Sequence, residues 1–204
     1  MYLVTAPWIM RKLFPSYFEW EIETKTNEIF LTFDDGPHPK ATPFVLDELK
    51  KYNAKATFFC IGKNVEAEPG LYKRILNEGH SIGNHTNDHL NGKKTADKDY
   101  LNNILKAKEV IDSKLFRPPY GEISTFQGQQ LKGIFRVIMW NVLSADFDVK
   151  LTGEQCYKNV VKNTKPGAII VFHDSEKAFP RLEIALPAAL AYFQQKGYSM
   201  KSIR

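Results

Sequence analysis

Short apolar runs alternate along this chain with longer stretches whose apolar residues recur at helical spacing. Residues 29–33 are the first such run and predict a strand. Residues 42–52 follow, with Val45, Leu46 and Leu49 on one stripe of a helix. The pattern repeats with a strand at 56–61, a helix at 71–77 stopped by Gly79, and a short strand-like pair at 81–82. Residues 97–112 give the clearest helix, placing Leu101, Ile104, Leu105 and Ile111 on one side. A strand starts at 115–116 and Pro118-Pro119 end it, because proline has no N–H for a ladder. Residues 134–142 read as one long buried strand. The helix at 152–163 takes Thr152 as N-cap and Glu154 in its first turn. An apolar strand at 168–172, a helix at 180–195 and a short strand beyond Gly197 close the series.

Strands separated by helices predict parallel βα units. Six or seven units predict a small, distorted (β/α)7-type barrel in a single domain, since an eight-fold barrel usually needs ~250 residues and this chain has 204. An open doubly wound sheet is the alternative, but no glycine-rich phosphate loop follows the first strand. Residues 1–27 read as an irregular lead-in whose aromatics (Trp8, Phe14, Tyr17, Phe18, Trp20) pack on the domain formed by residues 28–204.

Composition narrows the function classes. The net charge of +5 is spread over separate pairs such as Lys50-Lys51 and Lys93-Lys94, which argues against a nucleic-acid reader with its basic stripe. Cys60 and Cys156 stand far apart with no C-x-x-C spacing, so neither a zinc site nor a disulfide framework is expected from them. No stretch approaches the ~20 apolar residues of a membrane span. The first ten residues are mostly apolar and Arg11-Lys12 come after them, the reverse of a secretory leader. The expected compartment is the cytoplasm.

The polar clusters fall where the predicted strands end, the end at which barrels of this kind place chemistry. Thr32-Phe33-Asp34-Asp35-Gly36-Pro37 holds two adjacent carboxylates, where a turn needs only one. A bend there turns both toward one cavity, one to bind a cation and the other to act as a base. His85-Thr86-Asn87-Asp88-His89 spaces two imidazoles at i and i+4, which on a helical turn share one face and can share a metal. Arg117-Pro118-Pro119-Tyr120-Gly121 offers a cation for a carboxylate and a stiff backbone that presents an N–H. His173 ends the late apolar strand. One Asp and two His leave a fourth position open, as in catalytic zinc sites.

In order and spacing these segments resemble the successive motifs of the polysaccharide deacetylases of carbohydrate esterase family 4, the NodB-homology domain. The resemblance runs from about Glu28 to the C-terminus. It implies a distorted (β/α)7 barrel and one divalent metal ion, usually zinc, sometimes cobalt, nickel or manganese. It implies Asp35, His85 and His89 as ligands, Asp34 as general base, Arg117 orienting Asp34, and His173 as general acid. The backbone N–H of Tyr120 would help hold the oxyanion. Asp146, or Asp148 two residues on, would tune His173, with Asp146 preferred. Phe147 stands where the family has tryptophan against the acetyl methyl, and Val171 where it has leucine. The implied substrate is an N-acetylated carbohydrate. An O-acetyl ester, or a small or lipid-linked amide, is the alternative for the same chemistry.

Overall fold

The computed structural model describes residues 3–5 and 14–204. In chain order the strands are β1 (Phe18–Glu19), β2 (Glu28–Asp34), β3 (Thr57–Cys60), β4 (Ser81–Asn84), β5 (Leu115–Phe116), β6 (Arg136–Ile138), β7 (Val142–Leu143), β8 (Ile169–His173) and β9 (Ser199–Lys201). The helices are α1 (Ala41–Lys51), α2 (Gly62–Ala67), α3 (Pro69–Asn77), α4 (Asp97–Lys108), α5 (Thr125–Leu131), α6 (Gly153–Asn163) and α7 (Phe179–Gln195). The strands pair in the order β1-β6-β5-β4-β3-β2-β8-β7, with β9 against the start of β2. Every pairing between these strands is parallel. The result is a curled parallel sheet wrapped by helices, the distorted barrel expected from the alternation.

Period-two alternation sorts the core. On β2, Ile29, Leu31 and Phe33 face the helices and pack with Val45, Leu46 and Leu49 of α1 and Leu182 and Leu186 of α7. The opposite parity points into the barrel, where Phe30 meets Phe59, Leu115, Ile138, Ile169 and Ile203. Continuing along that inner parity brings Thr32 and Asp34 on β2, and Val171 and His173 on β8. The register pairs Asp34 with His173. The barrel therefore has an apolar floor and a polar mouth at the carboxyl ends of its strands. Each fully buried Phe or Leu contributes roughly 1.5–3 kcal/mol, which offsets the desolvation of the charges held at that mouth.

Residues 134–142 do not form the single strand expected from their apolar run. They split into β6 and β7, and the chain changes neighbours between them, from β5 to β8. At the break Arg117 takes the carbonyls of Ile138 and Met139 with its side chain, while the Met139 N–H still bonds the Glu19 carbonyl of β1 and the Asn141 N–H already bonds the Ile169 carbonyl of β8. Trp140, at the break, packs against three separate apolar clusters and plugs the seam.

Three other elements were not foreseen. Helix α5 starts with a capping box of Ser124 and Gln127, a signal readable in the sequence. Helix α2 has no side-chain cap. Strand β1 lies in the supposedly irregular lead-in, where Phe18 is buried and Phe14, Tyr17 and Trp20 pack on the same cluster. Trp8, Arg11 and Lys12 lie outside the described residues. Among the described residues no helix is long and apolar enough to cross a membrane.

Candidate active site

Asp34 is buried at the end of β2, where its Oδ1 accepts from Arg117 Nη1 at 2.7 Å. Arg117 itself is fully buried, and its other bonds go to Thr32 Oγ1 (2.7 Å) and the carbonyls of Ile138 and Met139. Its guanidinium also lies 4.1 Å from the centroid of the Phe59 ring. A planar cation held on every side leaves Asp34 one orientation. Asp35 follows with φ 82°, a left-handed conformation that swings its carboxylate away from the strand's alternation and into the same cavity. Asn64 Nδ2 holds the Asp35 carbonyl at 2.7 Å, and Asp174 Oδ1 takes the Gly36 N–H at 3.1 Å. No room exists for a side chain at residue 36, since a Cβ there would stand 2.0 Å from the Asp174 carboxylate.

The two histidines meet, but not on a helical turn. Residues 85–91 form an irregular loop after β4, with Thr86 at φ 64° and His89 at φ 58°. The loop folds this way because its N–H groups are claimed by side chains. Asn84 Oδ1 takes the N–H of Thr86, and Asn103 Oδ1, from α4, takes those of Asn87 and Asp88. The imidazole centroids of His85 and His89 end 5.1 Å apart. Asn103 was invisible to motif reasoning because it sits on the polar face of an ordinary helix.

Asp35 Oδ1 lies 3.2 Å from His89 Nε2 and 3.7 Å from His85 Nε2. The ligating atoms of Asp35, His85 and His89 all fall within 4.8 Å of one another. Two observations fit a cation there. Asp35 Oδ1 is buried without a hydrogen-bond partner, which is costly unless something else satisfies it. His85 Nδ1 donates to the Arg117 carbonyl at 2.7 Å, leaving the Nε2 lone pair aimed at Asp35, as metal-ligating histidines do. Burial pushes His85 down to about 4, against the pull of Asp34, so it is neutral and able to ligate. Burial favours the neutral form of Asp35 too, but the contact with His89 and the charges of His173 and His85 outweigh it and keep the carboxylate ionised.

Across the mouth, His173 Nδ1 lies 2.7 Å from Asp146 Oδ1, and the other Asp146 oxygen takes the His173 backbone N–H at 2.9 Å. Asp148 does not occupy this place; its Oδ1 takes the Lys150 N–H. Burial lowers the His173 pKa, but the charge and hydrogen bond of Asp146, helped by Asp35 and Asp34, raise it to about 9. Phe147 meets the His173 ring edge-on, centroids 5.1 Å apart, and Val171 lies beneath. Tyr120 sits in a short 3-10 turn at φ 61°, its exposed ring 4.7 Å from that of His89. Positive φ at Asp35, Thr86, His89, Tyr120 and Ala145 places backbone strain at or beside the cleft. Such strain costs about 1–3 kcal/mol per residue and persists where the surroundings enforce it.

Asp34, Asp35, His85, His89, Pro118, Tyr120, Phe147, Val171 and His173 line one cleft of about 540 Å³, together with Trp140, Leu143, Ser175 and Lys177. Sequence reasoning missed those last four. Trp140 and Leu143 were hidden in an apolar run. Ser175 and Lys177 follow His173 at a strand end, and that position was the available signal.

The sequence model of polysaccharide deacetylases matches residues 21–132, more than half of the chain. The chain belongs to this family. It is 37% identical over 195 residues to a peptidoglycan-N-acetylglucosamine deacetylase of Bacillus cereus, covering 92% of this chain and 91% of that one. Among solved structures it resembles the Bc1960 peptidoglycan N-acetylglucosamine deacetylase, crystallised with a naphthyl N-hydroxybenzamide. The TM-score is 0.88, with 33% identity and coverage of 97% and 95% of the two chains. It also shares its fold with a carbohydrate esterase family 4 pseudoenzyme of Bacillus anthracis, with TM-score 0.80, 22% identity and coverage of 95% and 69%. The fold alone therefore does not carry activity, and the argument rests on side chains.

Proposed function

We propose that the protein hydrolyses the N-acetyl group of an amino-sugar-containing carbohydrate, releasing acetate, with one divalent metal ion held by Asp35, His85 and His89. One observation carries the proposal: the orphaned Asp35 oxygen and two imidazole nitrogens share a cleft with Asp34 and His173, each paired from behind by the buried Arg117 and Asp146. A bound divalent ion supplies Lewis acidity toward the acetyl carbonyl and toward water. Zinc suits this donor set best, with cobalt, nickel and manganese as alternatives.

The chain's own residues do the rest. Asp34, fixed by Arg117, takes the proton of the attacking water as general base. The Tyr120 backbone N–H helps hold the negative charge that develops on the carbonyl oxygen. Phe147 and Val171 give the acetyl methyl an apolar wall. His173 gives its proton to the departing nitrogen, because a C–N bond breaks too slowly if the amine must leave as an anion. A proton held to about pH 9 favours an amide substrate over an ester, whose leaving group is better. The N-hydroxybenzamide seated in the Bc1960 relative is a hydroxamic acid, a class that chelates divalent metals, and this supports the same reading.

The test uses chelator-stripped protein reloaded with zinc, cobalt, nickel or manganese and incubated with chito-oligosaccharides. Acetate and free amine should appear in equal amounts, with one metal per chain by elemental analysis and loss of turnover on stripping. No acetate with any metal would refute the proposal. Acetate from O-acetyl sugars, or from small or lipid-linked amides alone, would establish the alternative.

A further inference from the structure

We infer that Asp174 is a positioning residue, which holds Asp35 in the conformation that turns its carboxylate toward His85 and His89. The inference deepens the deacetylase reading, and its consequence for turnover rests on that reading.

Asp35 adopts φ 82°, a conformation that an aspartate keeps only where its surroundings enforce it. Asp174 grips the peptide planes on both sides of that residue. Its backbone N–H donates to the Asp34 carbonyl at 3.0 Å, which fixes the plane before Asp35. Its side-chain Oδ1 accepts the Gly36 N–H at 3.1 Å, which fixes the plane after it. Asn64 Nδ2 holds this second plane from its other end, through the Asp35 carbonyl at 2.7 Å. A residue has only two soft backbone dihedrals, and fixing both flanking planes removes the freedom of each.

Stability alone gives no reason for an acid at this place. Asp174 is fully buried, and its other oxygen accepts the Thr42 hydroxyl at 2.5 Å. Two donors are a thin shell for a buried carboxyl group, whose desolvation costs more than they return. Burial, reinforced by the charge of Asp35, outweighs the Thr42 hydrogen bond and pushes Asp174 up to about 8. Near neutrality the group is mostly uncharged, so asparagine copies its shape, with Oδ1 still accepting from Gly36. The carboxyl lies directly on the Gly36 backbone, where an added Cβ would stand 2.0 Å from its Oδ2. Thr42 Oγ1 also accepts the His38 N–H at 2.7 Å, so the turn from Gly36 to Thr42 hangs on this one side chain. Asp174 does not line the cleft, and its effect therefore passes through Asp35.

The experiment measures zinc affinity by titration calorimetry, near neutral pH and well below the melting temperature, on wild type, Asp174→Ala, Asp174→Asn and Leu190→Ala. Asp174→Ala should bind zinc about 10–100-fold more weakly, the range for removal of a group that orients a ligand. Asp174→Asn should stay close to wild type. Leu190→Ala deletes a fully buried side chain of α7 that does not line the cleft. It should lower the melting temperature and leave zinc affinity unchanged, which separates positioning from general loss of stability. In a crystal structure of metal-free Asp174→Ala, residue 35 should leave φ 82° and its carboxylate should draw away from His89 Nε2, 3.2 Å distant in the wild type. Wild-type zinc affinity in Asp174→Ala, or an equal loss in Asp174→Asn, would overturn the inference and leave deacetylation intact. If Asp174→Ala does not fold, Thr42→Val decides, since it removes the second anchor of the carboxyl group. It should weaken zinc by less, and wild-type affinity there would overturn the inference. No zinc binding by wild type would overturn the metal reading instead. The metal-free structure would then decide this inference by itself, an unmoved Asp35 overturning it.

Discussion

Asp35→Asn is expected to abolish metal binding and turnover together, whereas Asp34→Asn should keep the metal and lower kcat by about 10²–10⁴-fold, the range for loss of a general base. The adjacent carboxylates differ because the backbone treats them differently. Asp34 ends β2 in regular register opposite His173, and Arg117 already claims one of its oxygens. Asp35 stands one residue on at φ 82°, facing both imidazoles with an oxygen that nothing in the protein satisfies. An amide at residue 35 has no net charge to offer a cation. An amide at residue 34 still accepts from Arg117 but cannot take a proton from water. The guanidinium then sits fully buried without its counter-charge, so Asp34→Asn should also cost up to roughly 3 kcal/mol of stability. Titration calorimetry with zinc, acetate release and thermal unfolding on both variants separate these outcomes. Release of the metal by Asp34→Asn would show that the division of labour is wrong.

The tandem aspartates were legible because a carboxylate pair at a strand end is rare enough to stand out. Strand and helix order was legible for a related reason, since burial imposes period two or 3.6 on every element that packs. Where the reading failed, a distant side chain had overruled the local pattern. Residues 134–142 have the apolar run of one strand, yet Arg117 takes the carbonyls of Ile138 and Met139 where the chain passes from β5 to β8. The His85–His89 spacing matched a helical turn, yet Thr86 and His89 take positive φ, and Asn103 holds the N–H groups of Asn87 and Asp88 in that non-helical path. Neither partner is near in sequence. The choice between Asp146 and Asp148 had the same character, since spacing cannot show which carboxylate faces His173, and the contact falls to Asp146. Arg181, which joins the Asp146 and Lys177 carbonyls, left no motif at all.

His173→Ala should leave metal affinity close to that of wild type and strongly reduce turnover of an N-acetyl sugar, with far less effect on an activated ester. His173 lies on β8, apart from the candidate metal site of Asp35, His85 and His89, and its Nδ1 is committed to Asp146, so Nε2 is the atom free to deliver a proton. An amine must be protonated as the C–N bond breaks, whereas an activated alcohol leaves unaided. The pH dependence has a definite sign. The folded-state pKa is raised to about 9 from 6.5, so the acid form, and with it amide turnover, is present through neutrality and lost as pH rises through the folded value. Stability follows the same direction. The raised pKa adds stability that is complete below the unfolded value near 6.5 and disappears as pH climbs through about 9. Cation binding at Asp35 cancels part of the support for the imidazolium, so the limb of the loaded enzyme should lie below that of the free protein. In Asp146→Asn, burial is opposed only by Asp35 and Asp34, and the limb should move further toward acid while turnover of the activated ester persists. Rate profiles from pH 5 to 10 on both substrates, for wild type and both variants, provide the measurement. Equal losses on amide and ester in His173→Ala, or an alkaline limb unmoved by Asp146→Asn, would remove His173 from the role of proton donor.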